Sequence, residues 1–226
     1  MMQRSVQMSE SIRLGILLAL SGGFMDAYSY IERGHVFANA QTGNILLFGV
    51  HLSEGNLPLA VHYFISVFAF AFGIALAEMV HLKKVPLLHW RQISVLLEAV
   101  ILLGVSFFPQ NFNLPANVLT SFACGIQVES FRKIHGNGIA TTMCIGNLRS
   151  ATQNLFQYIH TKKAVHLKNS LLYYGIIFFF VIGAVSANFF IQIWKERAII
   201  CSSLLLFLAF LLMFFNHENP EENGGD

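Results

Sequence analysis

Phe37-Ala-Asn-Ala-Gln-Thr-Gly-Asn44 is a polar stretch that follows a long apolar run, and Ala140-Thr-Thr-Met-Cys-Ile-Gly-Asn147 is similar to it. An offset of 103 residues superposes the two stretches and brings Gly43 onto Gly146 and Asn44 onto Asn147. The same offset pairs residues of the preceding segments: Gly22 with Gly125, Asp26 with Glu129, Tyr28 with Phe131 and Ile31 with Ile134. Glycines, an acid, an asparagine and an aromatic residue in one register indicate that the chain consists of two related halves.

The composition indicates a membrane protein. Of the 226 residues, 55% are hydrophobic and 12% are charged, and the mean hydropathy is +0.58. A soluble domain would carry about 25% charged residues. The net charge of +2 is small, and the lysines and arginines flank apolar runs instead of forming one basic patch. We therefore expect the lipid bilayer as a partner of this protein, and no nucleic acid.

Six apolar runs predict six transmembrane helices across a hydrocarbon core of about 30 Å. They cover residues 13–31, 61–80, 93–108, 114–131, 170–193 and 198–215. The first run contains Asp26 and lacks a small-residue cleavage site, which favours a membrane span over a signal peptide. We expect two membrane repeats, residues 1–108 and 109–216, followed by an acidic disordered tail at residues 217–226.

Two further segments, residues 35–52 and 138–159, either cross the membrane or enter it and return to the same side. The distribution of lysine and arginine decides between these topologies. With six spans the cytoplasmic side receives most of the basic residues: Arg4, Arg13, Lys83, Lys84, Arg91, Arg132, Lys133, Arg149, Lys162, Lys163 and Lys168. The opposite side keeps Arg33, Lys195 and Arg197. Eight spans would remove most of this asymmetry, so we predict six spans, two re-entrant segments and both termini in the cytoplasm.

The odd number of spans in each half determines the predicted symmetry, because the second half must enter the membrane from the opposite side. The expected fold is therefore all-α, with six transmembrane helices arranged as a 3+3 inverted repeat and two re-entrant half-helices. We call the stretches 37–44 and 140–147 the Gly-Asn segments. After them the offset becomes 110 residues and pairs Gly73 with Gly183 and Ala77 with Ala187. This small-xxx-small spacing predicts close helix packing.

The re-entrant segments provide the candidate substrate-binding residues, since irregular backbone at membrane depth is tolerated only inside protein or beside a watery cavity. The candidates are Asn39, Gln41, Thr42, Gly43, Asn44, Thr141, Thr142, Gly146, Asn147 and Arg149. Thr42 is predicted to cap a short helix from Gly43 to about Val50, and its partner helix is expected from Gly146 to about Tyr158. Two helix N-termini that point to the centre would hold a polar or anionic group.

A structural alternative stays open for the two asparagines of these segments. In that alternative Asn44 and Asn147 bond each other's backbones and only hold the two halves together, because amide hydrogen bonds often join helices in membranes. The two alternatives differ in whether a solute contacts the amide groups.

Acidic residues within the spans are candidates for charge coupling, since a charge at the bilayer centre is unfavourable unless it faces protein or a cavity. Asp26 and Glu129 occupy matching positions in the two halves, where they are expected to be neutral, to relay protons or to pair with Arg149. Glu98 lies near the middle of the third span and has no acidic counterpart, because Leu204 falls at the equivalent position.

No sequence pattern indicates an enzyme, a cofactor or a metal site. The chain contains no HExxH, GxSxG, Walker or glycine-rich nucleotide motif. The cysteines, Cys124, Cys144 and Cys201, lack metal-binding spacing and are expected to pack as small apolar residues. Nearly all the histidines fall at predicted span ends or in connectors, and only His62 is placed to reach a cavity.

Two sequence signatures resemble a known family. Gly22-Gly-Phe-Met-Asp-Ala-Tyr-Ser-Tyr30 followed by Phe37–Asn44 looks like the YoaK-type family of small bacterial membrane proteins of unknown function. Cys124-Gly-Ile-Gln127 and the run from Ala140 to Ser150 resemble the second signature of that family, although Ile145 stands where the family more often has threonine. The resemblance implies a multi-pass protein of the bacterial inner membrane with six predicted helices, and it implies no substrate.

The residues themselves therefore have to indicate the function. We predict a small transporter or channel for a small polar or ionic solute, with the two Gly-Asn segments as its binding site. A non-transporting membrane scaffold or assembly partner is the alternative, in which the same polar residues only hold the halves together. The sequence leaves open whether the protein forms a homodimer.

Overall fold

The computed structural model describes residues 11–82, 90–134 and 137–214, and these residues are almost wholly helical. The helices in chain order are α1 (Ile12–Glu32), α2 (Gln41–Ser53), α3 (Leu57–Leu82), α4 (Trp90–Val105), α5 (Asn113–Ser130), α6 (Cys144–Thr161), α7 (Ala164–Trp194) and α8 (Ile200–Leu212). Short 3-10 helices lie at Gln110–Phe112 and Lys195–Ile199. The two-residue strands β1 (Lys133–Ile134) and β2 (Asn137–Gly138) pair antiparallel. The predicted all-α class is confirmed, and the predicted acidic tail lies outside the described residues.

Three helical stretches of the described chain are long and apolar enough to cross a membrane: Ile12–Glu32, Leu57–Leu82 and Ala164–Leu212. The third stretch contains α7 and α8 and covers the predicted fifth and sixth spans. The predicted third and fourth spans correspond to α4 and α5, which have 16 and 18 residues. At 1.5 Å per residue α4 is about 24 Å long, which is shorter than a hydrocarbon core of about 30 Å.

The end of α1 shows how the sequence directs the chain into the first Gly-Asn segment. Ser11 caps the start of α1, where its hydroxyl accepts a hydrogen bond from the Leu14 amide at 3.2 Å. At the other end Gly34 and His35 both have positive φ, at 84° and 63°. Such left-handed residues end a helix and reverse the chain, so the segment after Arg33 folds back along α1.

Helices α1 and α7 pack so closely that their backbones touch. A Cβ atom placed on Gly23 would overlap the carbonyl of Phe180, and one on Gly183 would overlap the carbonyl of Leu20. Only glycine permits this approach, as in other close helix pairs of membrane proteins. The predicted close packing at Gly183 is therefore confirmed.

Helices α3 and α5 form a second pair of the same kind. A Cβ atom on Gly73 would overlap the carbonyl of Phe122, and one on Gly125 would overlap the carbonyl of Phe70. The two pairs correspond at Gly73 and Gly183 with the predicted offset of 110 residues. Gly125, however, makes the contact that is equivalent to that of Gly23 and not of Gly22, so these contacts differ by one residue from the predicted offset of 103.

The remaining helices surround these two pairs. Helices α4 and α8 pack against each other and against α5 and α1, while α2 packs on α3 and α6 packs on α7. The main apolar core lies between α1, α4, α5 and α8 and includes Phe24, Val95, Leu102, Cys124 and Leu206. In this arrangement one side of α1 faces the two Gly-Asn segments.

Candidate functional site

The first Gly-Asn segment is held against α1 by Asp26. A carboxylate oxygen of Asp26 accepts hydrogen bonds from the amides of Asn39 and Ala40, at 2.7 and 3.3 Å. The Asn39 side-chain amide donates to the carbonyl of Gly22 at 3.1 Å, and its own side-chain oxygen has no hydrogen-bond partner among the described residues. Asp26 thus occupies the anion-binding position at the N-terminus of α2.

Asn44 closes the same segment on itself. Its side-chain oxygen accepts from the Phe37 amide at 3.0 Å, and its nitrogen donates to the Phe37 carbonyl at 2.7 Å and to Gln41 Oε1 at 2.8 Å. The Gln41 side-chain nitrogen in turn donates to the Ala38 carbonyl at 2.7 Å. Gly43 packs against the ring of Phe37, where a Cβ atom would be 2.7 Å from a ring carbon. These bonds give the irregular backbone before α2 its partners.

The predicted cap of this half-helix is wrong. Helix α2 begins at Gln41, its N-cap is Ala40, and no side chain caps it. Thr42 lies exposed within the first turn of the helix. Thr42 cannot cap the helix because it is already a helical residue, and Asp26 from another helix bonds the preceding amides of Asn39 and Ala40.

The second Gly-Asn segment repeats part of this arrangement. The Asn147 side-chain nitrogen donates to the carbonyl of Ala140 at 2.7 Å, seven residues earlier, as Asn44 does with Phe37. Both asparagines therefore bond their own segments, and neither bonds the other segment's backbone as the structural alternative expected. Gly146 differs from Gly43, because a Cβ atom there would meet nothing within 4 Å.

Gln127 of α5 joins the second segment to α1. Its side-chain nitrogen donates to the hydroxyl of Thr141 and to the carbonyl of Leu18, both at 3.2 Å. Thr141 and Thr142 are both buried. The Gln127 side-chain oxygen and the Thr142 hydroxyl have no hydrogen-bond partner within the described chain.

The two segments meet at Gly22, in the middle of α1. The Gly22 carbonyl accepts the bond from Asn39 of the first segment. A Cβ atom on Gly22 would lie 3.0 Å from a methyl carbon of Thr142 and 3.4 Å from the carbonyl oxygen of Thr141, both in the second segment. The structure therefore brings together Asp26, Asn39, Thr141 and Thr142 around one glycine.

Other predicted site residues lie elsewhere. Glu129 forms an ion pair with Arg132, which also pairs with Glu78 at 2.6 Å, and the predicted Glu129 pairing with Arg149 is not observed among the described residues. Arg149 is exposed on α6. Glu98 is completely buried in α4, and its carboxylate oxygens have no hydrogen-bond partner in the described segments.

Sequence reasoning missed two residues with many contacts, Gln127 and Arg33. Gln127 belongs to the second family signature, and its position two residues after the buried Gly125 was a usable signal. Arg33 was assigned to an exterior connector, but its side chain is completely buried. No local pattern marks it, because most of its partners come from α4 and α5, more than 70 residues away.

Asn44→Ala tests whether the asparagine bonds are structural. The substitution leaves the Phe37 amide without its partner and removes the shorter of two hydrogen bonds to the Phe37 carbonyl, so we expect a loss of about 1–3 kcal/mol of stability. Hydrogen exchange of residues 37–44 should become faster and the melting temperature in detergent should fall. Asn188→Ala, at an exposed position of α7, is the matched control and should change neither quantity. Unchanged exchange in Asn44→Ala would contradict a structural role.

These observations define a class of protein: a helical membrane protein in which two polar, irregular segments meet at the middle of a membrane-length helix. The chain belongs to the family described as Protein of unknown function (DUF1275), whose model matches residues 14–212. A relative from Bacillus subtilis (strain 168), UPF0700 transmembrane protein YoaK, is 26% identical over 180 residues, which cover 75% of this chain and 79% of the relative. No solved structure matches the chain. The resemblance inferred from the two signatures is confirmed.

Proposed function

We propose that the protein transports a small polar or ionic solute across the bacterial inner membrane, and that the solute binds where the two Gly-Asn segments meet. The observation that carries this proposal is the meeting of both segments at Gly22. Gly22 lies at the centre of the 21-residue helix α1, about 15 Å from either end. Binding sites of transporters built from inverted repeats lie at this depth.

The direction of the segments supports a re-entrant arrangement. The first segment leaves the C-terminal end of α1 at Arg33 and returns along α1 to Asp26 and Gly22. The second segment approaches from the N-terminal half of α1, where the side chain of Ile134 packs against Gly15, and then reaches Gly22 through Thr142. The two segments thus come to Gly22 from opposite ends of α1, as two half-helices entering from opposite membrane faces would.

Contacts between α1 and α5 support an inverted repeat. Arg33 at the end of α1 contacts Asn113 at the start of α5, whereas Gln127 near the end of α5 contacts Leu18 in the first half of α1. The two helices are therefore antiparallel. A twofold axis that relates antiparallel helices is perpendicular to them and lies in the membrane plane. The two close pairs, α1 with α7 and α5 with α3, fit the same axis.

Contacts at the helix ends support a common side for the two termini. The Gln92 side chain at the start of α4 donates to the carbonyl of Met213, after the end of α8. The far end of α4 contacts Arg33 at the end of α1. The beginning of α1 and the end of α8 are thus on the same side, and the excess of lysine and arginine makes this side the cytoplasm.

The chemistry of the site favours a solute that donates hydrogen bonds or carries positive charge. Among the described residues that meet around Gly22, the side-chain oxygens of Asn39 and Gln127 and the hydroxyl of Thr142 are buried without a hydrogen-bond partner. Buried polar groups normally have a partner, so these oxygens fit a bound solute or water. Asp26 adds a carboxylate next to the N-terminus of α2, and its negative charge disfavours an anion there.

Asp26 is the proposed coupling residue, because Glu129 is paired with Arg132. Glu98 is a second acid available for coupling, since it is buried without a partner in the described part of α4 and its neighbours. The exposed position of Arg149 on α6 gives it no role in this site.

A scaffold protein without transport activity is the second candidate. The bonds of Asn44 and Asn147 favour it, because both amides bond the backbone of their own segments and none contacts a solute position. A homodimer is compatible with both candidates. Neither candidate involves an enzyme activity or a cofactor.

Current measurements on proteoliposomes distinguish the two candidates. Concentration steps of ammonium, guanidinium, potassium and sodium chloride are applied, and at least one cation should produce a current. Thr142→Val keeps the shape of the side chain but removes the unpartnered hydroxyl, and it should reduce this current at least tenfold without lowering the melting temperature. Thr152→Val, at an exposed position of α6, is the control. Absence of any current would contradict transport of a cation, and a current unchanged by Thr142→Val would contradict transport of that cation through this site.

A further inference from the structure

A cavity lies away from the Gly-Asn segments, between the beginnings of α1 and α7. Its volume is about 550 Å³, and it is open to the surface of the molecule. Ile12 and Ile16 of α1 form one wall. Residues of α7 at intervals of three and four positions form the other wall, so they share one face of that helix.

From Lys168 onwards the α7 wall changes from polar to apolar along the helix, and the apolar Val165 precedes this part. Lys168 and Asn169 lie in the part near the start of α7, and Leu172, Gly175 and Phe179 continue the wall into the apolar part. From Lys168 to Phe179 the helix rises by about 16 Å, which is about half of a hydrocarbon core. A phospholipid has the same order of chemistry, with a phosphate at the membrane surface and an acyl chain that extends towards the centre.

Gly175 leaves the apolar part of the cavity open. A Cβ atom on this residue would meet nothing within 4 Å, whereas one on Gly183, two turns further along α7, would overlap the carbonyl of Leu20. Gly175 therefore does not serve helix packing, and a larger side chain at this position would extend into the cavity.

The charge around the cavity selects for an anion. The sequence from Phe131 to Lys195 contains no aspartate or glutamate. Exposed Lys162 and Lys163 lie between α6 and α7, near the exposed Lys168 at the rim. Basic pockets between membrane helices on the cytoplasmic side are typical binding sites for anionic head groups.

We propose that this cavity binds one anionic phospholipid of the adjoining leaflet, with its phosphate at Lys168 and Asn169 and an acyl chain along Leu172, Gly175 and Phe179. Lys168 provides the charge that distinguishes an anionic from a zwitterionic head group. The apolar wall binds the chain of either lipid. This site is separate from the solute site at Gly22 and does not depend on transport.

Native mass spectrometry of the purified protein tests this site with phosphatidylglycerol and phosphatidylcholine that carry identical acyl chains. The unmodified protein should retain one phosphatidylglycerol at least tenfold more strongly than phosphatidylcholine. Lys168→Gln should remove this preference, and Lys162→Gln, which removes an equal charge outside the cavity, should preserve it. Gly175→Phe fills the cavity and should abolish retention of both lipids while the melting temperature in detergent stays unchanged.

Three outcomes would overturn the proposal. Equal retention of the two lipids by the unmodified protein would show that no anionic site exists. The same loss in Lys162→Gln as in Lys168→Gln would indicate general surface charge. Full retention in a folded Gly175→Phe variant would place the lipid outside this cavity.

Discussion

Gly73→Ala is expected to destabilise the protein by about 3 kcal/mol, the upper end of the usual cost of added volume in a packed interface. The added methyl group would overlap the backbone carbonyl of Phe122 in α5. A side chain can rotate away from such a contact, but a helix carbonyl cannot move without displacing its helix. The separation of α3 from α5 would also disturb the reciprocal contact of Gly125 with Phe70. The melting temperature in detergent, followed by tryptophan fluorescence, measures the effect.

Gly104→Ala is the matched control for this substitution. Gly104 is also a helical glycine, in the last turn of α4, but a Cβ atom there would meet nothing within 4 Å. Alanine stabilises an exposed helix by up to about 1 kcal/mol relative to glycine, so the control should melt at the same or a higher temperature. Equal melting temperatures of Gly73→Ala and the unmodified protein would show that α3 and α5 are not in backbone contact.

The sequence predicted the features that depend on local pattern. Long apolar runs place α1, α3 and α7 within a few residues of their bounds, because a membrane helix must be continuously apolar. The spacing of Gly73 and Gly183 predicted close packing, since only small residues let helix backbones touch. The Gly-Asn repeat predicted two related polar segments, and the structure shows the same seven-residue bond in both.

Features that depend on distant contacts were predicted poorly. The offset of 103 residues matches Gly22 with Gly125 in the sequence. In the structure Gly23, and not Gly22, makes the helix contact that is equivalent to that of Gly125, because equivalence depends on the position of a residue on the packed helix surface. Gly22 instead contacts Thr142 of the second segment. Asp26 and Glu129 match in sequence, yet Arg132 follows Glu129 by three residues and pairs with it. The candidate site is therefore less symmetric than the sequence.

Arg33 is the clearest case of a residue whose role cannot be predicted from its neighbours. Its guanidinium donates to the hydroxyl of Tyr28 at 2.7 Å and to Asn113 Oδ1 at 3.2 Å. It also donates to three backbone carbonyls that follow the end of α4 or lie in its last turn: Val105, Phe108 and Pro109. The positive charge lies at the negative end of the α4 dipole, which stabilises it, and it forms no ion pair with a carboxylate of the described residues.

Arg33 also positions the first Gly-Asn segment. Its own carbonyl accepts a hydrogen bond from the Asn117 side chain at 2.6 Å. Both the side chain and the backbone of this residue are therefore held by α5, at the point where the chain turns back towards Asp26. A change at Arg33 is expected to affect the folding of the region where α1, α4 and α5 meet before it affects the solute site.

Arg33→Lys should destabilise the protein by about 3 kcal/mol although it preserves the charge. Lysine has three donors on one nitrogen and cannot bond five acceptors that surround a planar guanidinium. At least two buried acceptors lose their partner, at about 1–3 kcal/mol each. The melting temperature in detergent should fall, and hydrogen exchange should accelerate at residues 105–117. Arg197→Lys, an exposed residue of the 3-10 helix before α8, should stay within about 0.5 kcal/mol of the unmodified protein. If Arg33→Lys and Arg197→Lys melt alike, the guanidinium bonds do not hold α1, α4 and α5 together. The first Gly-Asn segment is then positioned by the bonds of Asp26 and Asn39 and by the Asn117 bond to the backbone of residue 33.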